Sequence, residues 1–353
     1  MILENVVTTS GFGYLWYSLF LILGIFLLVK GADLFVGGAS AISKKLKISA
    51  LVIGLTVVSF GTSAPELAVS LTSSIKGDSA IAMGNVVGSN IMNLLVVLGF
   101  SALITPMLVK KSICKREIPF LIGATILLIL FSFVNLFSGN IFNPHTLVWY
   151  EGIIFVLGII LFVYLSVYLA KKDSLKDPNS VEVEEIEDMP IWKAILYLLL
   201  GLAGIVVGAE FVTTPAKVIA TSLGVLANLN INDVVNVVGL TVVAIGTSLP
   251  ELVTSIVAAK KGENEIALGN VVGSNIFNIL FICGLSSLAV PLAISANIMT
   301  DMIISLVITV VVLLMCLTGK LSRKHGGILL VLYIIYLVYI LFRLFNPSLA
   351  LPL

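Results

Sequence analysis

Two glutamates in nearly identical polar segments, Glu66 and Glu251, have the chemistry to bind a cation. Each ends a Gly-Thr-Ser-x-Pro-Glu motif, so a threonine and a serine lie one helical turn before each carboxylate, on the same face. These hydroxyl residues are Thr62, Ser63, Thr247 and Ser248. Hard cations prefer oxygen ligands, and Ca2+ takes about six to eight of them. The motifs contain neither His nor Cys, which a transition-metal site would more often include.

A second motif follows each glutamate and adds amide and hydroxyl oxygens. The segment 84–93 reads GNVVGSNIMN, and the segment 269–278 reads GNVVGSNIFN. In a helix, residues four apart share a face, so each segment forms one polar stripe. The stripes are Asn85, Ser89 and Asn93 in the first segment, and Asn270, Ser274 and Asn278 in the second. The glycines four apart in each segment predict a face on which two helix backbones approach closely.

The two sets of motifs belong to one internal repeat with a constant offset. About 25 of the 40 positions from 54 to 93 are identical to the residue 185 positions later. The remaining apolar segments show no such similarity. Packing alone does not explain a repeat that is confined to polar segments, because any apolar residue would pack as well.

Pro65 and Pro250 predict a break in the helix before each glutamate. Proline lacks an N–H and clashes with the carbonyl four residues earlier, which here belongs to Gly61 or Gly246. Carbonyls freed in this way must face protein, water or an ion within a membrane. Interrupted helices at corresponding positions of two repeats are typical of a transporter site near the membrane midplane.

The composition requires a membrane. Hydrophobic residues make up 59% of the 353-residue chain, charged residues 11%, and the mean hydropathy is +1.16. A soluble domain carries about 25% charged residues. We therefore predict an all-α polytopic membrane protein with ten transmembrane helices, at about 14–37, 48–75, 79–104, 118–138, 147–170, 191–213, 233–259, 265–290, 298–318 and 326–345.

The basic residues predict the orientation of these helices. Sixteen Lys and Arg residues lie in loops on one side, whereas the opposite side has only Lys76, Lys217 and Arg343. Basic residues favour the cytoplasm, so both termini are expected outside and the acidic linker 171–190 inside. Five helices per half then make residues 1–170 and 191–353 two inverted repeats. The net charge of +1 gives no indication of a nucleic-acid partner.

The repeated motifs resemble the two α-repeats of the sodium/calcium exchanger family, in the form of its compact prokaryotic members. The resemblance covers the whole chain, with α-repeats at about 54–103 and 239–288. It implies a cell-membrane antiporter that works by alternating access, with Ca2+ and Na+ as transported ions, no cofactor, and a monomer as the functional unit. By motif position it implies the ligands Glu66, Glu251, Thr62, Ser63, Thr247, Ser248, Ser89, Ser274, Asn93 and Asn278, together with the carbonyls of Ser59 and Ala244.

Other functions remain open at the level of sequence. Some members of the family carry Asp where this chain has Asn93 or Asn278, so only two negative charges are evident here and the coupling ion is uncertain. An H+/Ca2+ antiporter could use the same two glutamates, and Mn2+ or Mg2+ would also bind oxygen ligands. A channel would more often build its carboxylate ring from several subunits. An enzyme would need a nucleophile and a base, and the motifs contain no His or Lys.

Overall fold

The computed structural model describes residues 11–46, 48–133, 146–176, 189–226 and 245–345. These residues are almost entirely helical, because a helix satisfies its own backbone hydrogen bonds where lipid offers none. The helices before the central linker are α1 (Gly11–Leu46), α2 (Ala50–Ile53), α3 (Ser59–Thr62), α4 (Ala64–Ile75), α5 (Ser79–Met92), α6 (Leu98–Ile104), α7 (Ile118–Phe133) and α8 (Trp149–Lys176). The helices after it are α9 (Ile191–Leu226), α10 (Leu249–Lys260), α11 (Asn264–Phe277), α12 (Cys283–Ala289), α13 (Ala296–Cys316) and α14 (Arg323–Phe345).

Short π-helical turns interrupt or extend several of these helices. They are Gly54–Val58 between α2 and α3, Asn93–Val97 between α5 and α6, Ile113–Glu117 before α7, and Asn278–Ile282 between α11 and α12. Four two-residue strands form two antiparallel pairs near the helix ends. They are β1 (Met107–Leu108) with β4 (Lys320–Leu321), and β2 (Thr146–Leu147) with β3 (Leu292–Ala293).

The described helices confirm a polytopic membrane protein. Eight of them are long and apolar enough to cross a membrane, and the number is nine if the bent pair Ala50–Thr62 and Ala64–Ile75 forms one span. The predicted helix at 233–259 falls partly on residues 227–244, which lie outside the described part of the chain. Its second portion is α10.

The sequence-based boundaries are too short for the two longest helices. Helices α1 and α9 have 36 residues each, whereas the predictions were 14–37 and 191–213. At 36 residues, each is roughly 54 Å long, well beyond the roughly 30 Å hydrocarbon core. The apolar run marks only the part of the helix in lipid, because polar residues continue the same backbone hydrogen bonding. Likewise α8 continues to Lys176 into the predicted linker, whose acidic residues 182–188 lie outside the described chain.

Helices α1 and α9 pack against each other with their backbones in direct contact. A Cβ atom added at Gly201 would overlap the backbone nitrogen of Phe35, and one at Gly31 would lie 2.7 Å from the nitrogen of Ile205. Small residues allow this approach in membranes, where interhelical attraction comes mainly from close packing. Helices in such contact are expected to move together.

The helices that carry the repeated motifs form the centre of the molecule. In the span formed by α5 and α6, 78% of the residues in an apolar stretch of 18 are buried. The corresponding value is 94% in the span formed by α11 and α12, and 17% in α14. A Cβ atom added at Gly273 would lie 2.7 Å from the carbonyl oxygen of Leu55. This contact confirms the predicted close approach of backbones for the second glycine pair, and it brings α11 against the π turn Gly54–Val58.

We predict that Gly201→Ala destabilises the protein, because its methyl group would overlap the backbone of α1. Overpacking of this kind costs about 1–3 kcal/mol. The control is Gly123→Ala on the exposed face of α7, where alanine should add helix stability of up to about 1 kcal/mol. The measurement is the melting temperature in detergent. Equal melting temperatures for the two variants would contradict the close packing.

Candidate cation site

Both glutamates lie just after a break in their helix. Ser63 (φ −82°, ψ 7°) separates α3 from α4, and Ser248 (φ −87°, ψ 2°) precedes α10 in the same conformation. Pro65 and Pro250 each fall in the first turn of the new helix, where proline is tolerated because the N–H is not needed. The predicted breaks are confirmed, with a bend of 47° measured at the first one.

The two carboxylates are completely buried, and each lies at the positive end of a helix dipole. Glu66 and Glu251 both have 0% exposure and belong to the first turns of α4 and α10. A helix N-terminus stabilises a negative charge through its unpaired N–H groups. Neither carboxylate forms a salt bridge with any residue in the described part of the chain.

Each glutamate accepts hydrogen bonds from residues of the opposite half of the chain. Ser63 Oγ donates to Glu251 Oε1 at 3.0 Å, and Ser248 Oγ lies 3.5 Å from Glu66 Oε1. Ser274 Oγ lies 3.5 Å from Glu251 Oε1. The two broken helices therefore meet at one site, with each break facing the other helix's carboxylate.

Two asparagines on the polar stripes hold the broken helices in place. Asn270 Nδ2 donates to Ser255 Oγ at 2.9 Å and to the Glu251 carbonyl at 3.4 Å, and its Oδ1 accepts from Thr62 at 3.0 Å. Asn85 makes the corresponding bonds, donating to Ser70 Oγ and the Glu66 carbonyl and accepting from Thr247. The hydroxyls of Thr62 and Thr247 thus connect the halves.

Asn93 and Asn278 lie where the helices change their geometry. Each begins a π-helical turn and has 0% exposure. Such turns, with an extra residue in the helical turn, are frequent at functional sites. The turn Asn93–Val97 packs against α10, which carries Glu251, and the turn Asn278–Ile282 packs against α4, which carries Glu66.

Among the described residues, five buried oxygen atoms in this region have no hydrogen-bond partner. They are Glu66 Oε2, Glu251 Oε2, Asn93 Oδ1, Asn278 Oδ1 and Ser89 Oγ. Leaving a buried polar group unpaired costs about 1–3 kcal/mol, and an unpaired charge costs more. These oxygens are of the kind that hard cations prefer, so a cation bound among them would give them a partner.

Eleven of the twelve predicted ligands are in the described residues, and hydrogen bonds or helix contacts connect them around the two glutamates. Ala244 lies outside the described residues. The Ser59 hydroxyl donates to the Leu55 carbonyl at 2.8 Å. The atom of Ser59 that the resemblance implies as a ligand is its backbone carbonyl. The role of all these residues as ligands stays a prediction.

Sequence reasoning missed the importance of Asn90 and Asn275. Both are buried, and they bond to each other's helix as well as to Asn93 and Asn278. They lie off the i, i+4 stripe, which is why the face argument passed over them. Their presence in both copies of the repeated segment was the available signal.

The broken helices and their buried, oxygen-rich meeting point define a multi-pass membrane transporter for cations. The sequence profile described as "Sodium/calcium exchanger protein" matches residues 16–168 and 193–342. The chain belongs to the sodium/calcium exchanger family. This membership confirms the resemblance seen in the motifs, and the family is one of transporters rather than enzymes.

Individual relatives extend the similarity over most of the chain. The sodium/calcium exchanger MaX1 of Methanosarcina acetivorans is 35% identical over 89% of this chain and 95% of its own. The inner membrane protein YrbG of Escherichia coli is 36% identical over 77% of this chain and 79% of its own. A structure of the sodium-calcium exchanger NCX_Mj, soaked with Na+ and Ca2+, has a TM-score of 0.75 and 30% identity over 92% of this chain and 98% of its own.

We predict that Asn270→Ala lowers the melting temperature of the protein, because it removes three buried hydrogen bonds. A buried hydrogen bond contributes about 1 kcal/mol, and leaving a buried partner without one costs about 1–3 kcal/mol. The control is Asn297→Ala at an exposed position of α13, which should have little effect. A melting temperature for Asn270→Ala equal to that of the control would show that this network contributes no stability.

Proposed function

We propose that this protein exchanges Ca2+ for Na+ across the cell membrane by alternating access, using Glu66 and Glu251 as the central ligands. The observation that carries the proposal is the set of unpartnered buried oxygens, which includes one from each glutamate. MaX1 and NCX_Mj, to which the chain is similar, are named as sodium/calcium exchangers, and this supports the same ions.

Charge balance explains why the two fluxes would be coupled. The two carboxylates give the site two negative charges, and no basic residue of the described chain is paired with them. One Ca2+ compensates both charges, and Na+ ions compensate them only by occupying the same oxygens. Because a buried uncompensated charge is costly, the protein would switch the access of the site from one side of the membrane to the other only when one ion or the other fills it.

The architecture we propose for this transport is two inverted five-helix halves, residues 1–170 and 191–353, joined by the linker 171–190. Hydrogen bonds between the halves support it, since Thr62 to Asn270 and Thr247 to Asn85 are the same contact with the halves exchanged. We place the linker in the cytoplasm and both termini outside from the distribution of basic residues. Because both glutamates come from one chain, a monomer suffices.

We expect Glu66→Gln and Glu251→Gln to abolish Ca2+ uptake, since each removes one of the two charges that bind the ion while keeping the side-chain shape. The measurement is 45Ca2+ uptake into proteoliposomes loaded with Na+ and diluted into Na+-free buffer, with an ionophore that clamps pH. The matched control is Glu117→Gln, another buried carboxyl group in a membrane span, which should retain uptake. Uptake preserved in both Glu66→Gln and Glu251→Gln would refute the site.

The same vesicles separate Na+ from H+ as the coupling ion. Two protons would neutralise the two glutamates as well as Na+ does. Uptake that follows the Na+ gradient at clamped pH supports Na+/Ca2+ exchange. Uptake that ignores Na+ and responds to an imposed pH gradient would retain the site and make the protein an H+/Ca2+ antiporter.

For alternating access, we propose that α1 and α9 move as one unit across the helices that hold the site. Their direct backbone contact at Gly31 and Gly201 supports this. In this structure α1 also packs against α10, and Lys261 Nζ binds Asp33 Oδ1 at 2.6 Å and the Asp33 carbonyl at 2.9 Å. The Ser40 hydroxyl donates to Glu263 on the same loop. We propose that these contacts close the site on the side of Lys261, which is the cytoplasmic side in the proposed orientation.

The repeat supplies an equivalent pair at the other side. Lys76 corresponds to Lys261, and Gly208-Ala-Glu210 on α9 corresponds to Gly31-Ala-Asp33 on α1. Here Glu210 accepts a hydrogen bond from Thr214 Oγ1 at 2.6 Å, and the described residues show no ion pair between Glu210 and Lys76. When the α1–α9 unit moves, we propose that the pair Asp33–Lys261 separates and the pair Glu210–Lys76 forms.

The expected result is a rescue by charge exchange at both pairs. Lys76→Glu should slow exchange, and adding Glu210→Lys should restore it, although these two residues are unpaired here. Lys261→Glu with Asp33→Lys should behave in the same way. Exchange rates in proteoliposomes are the readout, and Lys320→Glu at an exposed site is the control. Failure of Glu210→Lys to rescue Lys76→Glu would argue against the second pair.

A further inference from the structure

Four asparagines form a reciprocal set of hydrogen bonds between α5 and α11. Asn90 Nδ2 donates to the Asn275 carbonyl at 3.4 Å, and Asn275 Nδ2 donates to the Asn90 carbonyl at 3.3 Å. Asn93 Nδ2 donates to Asn275 Oδ1 at 3.2 Å, and Asn278 Nδ2 donates to Asn90 Oδ1 at 3.0 Å. All four side chains are buried, with at most 3% exposure. We name this set the asparagine ring.

The ring determines which atom of each amide faces which way. A backbone carbonyl can only accept, so the group that Asn275 turns toward the Asn90 carbonyl must be its NH2. Its Oδ1 is then the atom that meets Asn93. Asn93 must present its own NH2 to that oxygen, and its Oδ1 therefore points away from the ring. The same reasoning through Asn90 turns the Oδ1 of Asn278 away from the ring.

The oxygens turned away by the ring are two of the unpartnered ones in the candidate site. Asn93 Oδ1 and Asn278 Oδ1 have no hydrogen-bond partner in the part of the chain that the structure describes, like Oε2 of Glu66 and of Glu251. Each lies in a π turn that packs against the helix carrying a glutamate. Without the ring, a neutral amide could turn its NH2 group toward the cation, and an N–H cannot coordinate a metal ion.

We propose that Asn90 and Asn275 are positioning residues, which orient the amides of Asn278 and Asn93 so that both present oxygen to the transported cation. The proposal rests on the function proposed above. It has a consequence for specificity, because a carboxylate at position 93 or 278 has no N–H to give to the ring. The ring thus favours neutral amides at both positions and limits the site to the two charges of the glutamates.

A merely structural role for the ring would also be reasonable, since asparagines often bond helices together in membranes. The symmetry of the ring provides the means to distinguish the two roles. Asn275 orients Asn93 and not Asn278, whereas Asn90 orients Asn278 and not Asn93. A structural defect would affect both amides alike, whereas an orientation effect should depend on one specific partner.

The test is a double-mutant cycle on Ca2+ affinity, measured by 45Ca2+ binding to purified full-length protein in Na+-free detergent solution. Loss of an outer partner of a metal ligand typically weakens binding about 10- to 100-fold. We expect Asn275→Ala to raise the Kd about 10-fold and Asn93→Ala to raise it more. The double variant should bind no more weakly than Asn93→Ala alone, because no amide is left to orient. Combined with Asn278→Ala, the effect of Asn275→Ala should multiply in full.

The outcomes that would overturn the proposal are specific. Full multiplication of Asn275→Ala with Asn93→Ala would show that Asn275 does not act through that amide. An unchanged Kd in Asn275→Ala would have the same meaning. Absence of Ca2+ binding by the unmodified protein would instead refute the proposed function.

A mirror cycle keeps the test decisive if Asn275→Ala is poorly folded, as judged by its elution profile and melting temperature. The mirror cycle uses Asn90→Ala with Asn278→Ala, where we expect no additional loss, and with Asn93→Ala as its control. Full multiplication of Asn90→Ala with Asn278→Ala would overturn the proposal, because Asn90 would then not act through that amide.

Discussion

The structure depends on the burial of two carboxylates that have no basic partner among the described residues. Glu66 and Glu251 are inaccessible to solvent, and the side chains that donate hydrogen bonds to them include the neutral hydroxyls of Ser63, Ser248 and Ser274. Taking a carboxylate out of water is costly, and neutral donors compensate only part of that cost. The remaining attraction for positive charge is available to a mobile ion. A fixed lysine or arginine would neutralise the carboxylates permanently, and their attraction for a transported cation would be lost.

The surrounding architecture serves to hold these carboxylates without a fixed counter-charge. Each glutamate lies in the first turn of a helix, where the helix dipole offers partial positive charge. The prolines start those helices, and the π turns at Asn93 and Asn278 bring amide oxygens to the same place. Exchange of contacts between the halves makes the two carboxylates parts of one site. Helix α11 packs closely on the π turn at Gly54–Val58, whereas α1 and α9 pack mainly against each other.

The sequence predicted the local features of this site better than its contacts. The breaks at Pro65 and Pro250 followed from the missing N–H, and the membrane class followed from composition. Helices α1 and α9 were predicted too short, because hydropathy indicates which residues lie in lipid and not how far the backbone hydrogen bonding of the helix continues. Asn90 and Asn275 were not singled out, since the argument from helical faces considered only residues on the same stripe as the candidate ligands.

What the sequence determined by itself is the inventory of the candidate site: two carboxylates, the hydroxyls one turn before them, and the amides at i, i+4 spacing. Helical geometry is local, so spacing alone decides which side chains share a face. The tertiary structure decided the partners, such as Ser63 with Glu251 and Thr62 with Asn270. The two residues of each pair are separated in the chain by about the offset between the two copies of the repeat. It also decided which atom of each buried amide faces the site. Both depend on how two distant helices pack, because a hydrogen bond requires a specific atom at a specific distance and no pattern along one helix contains that information.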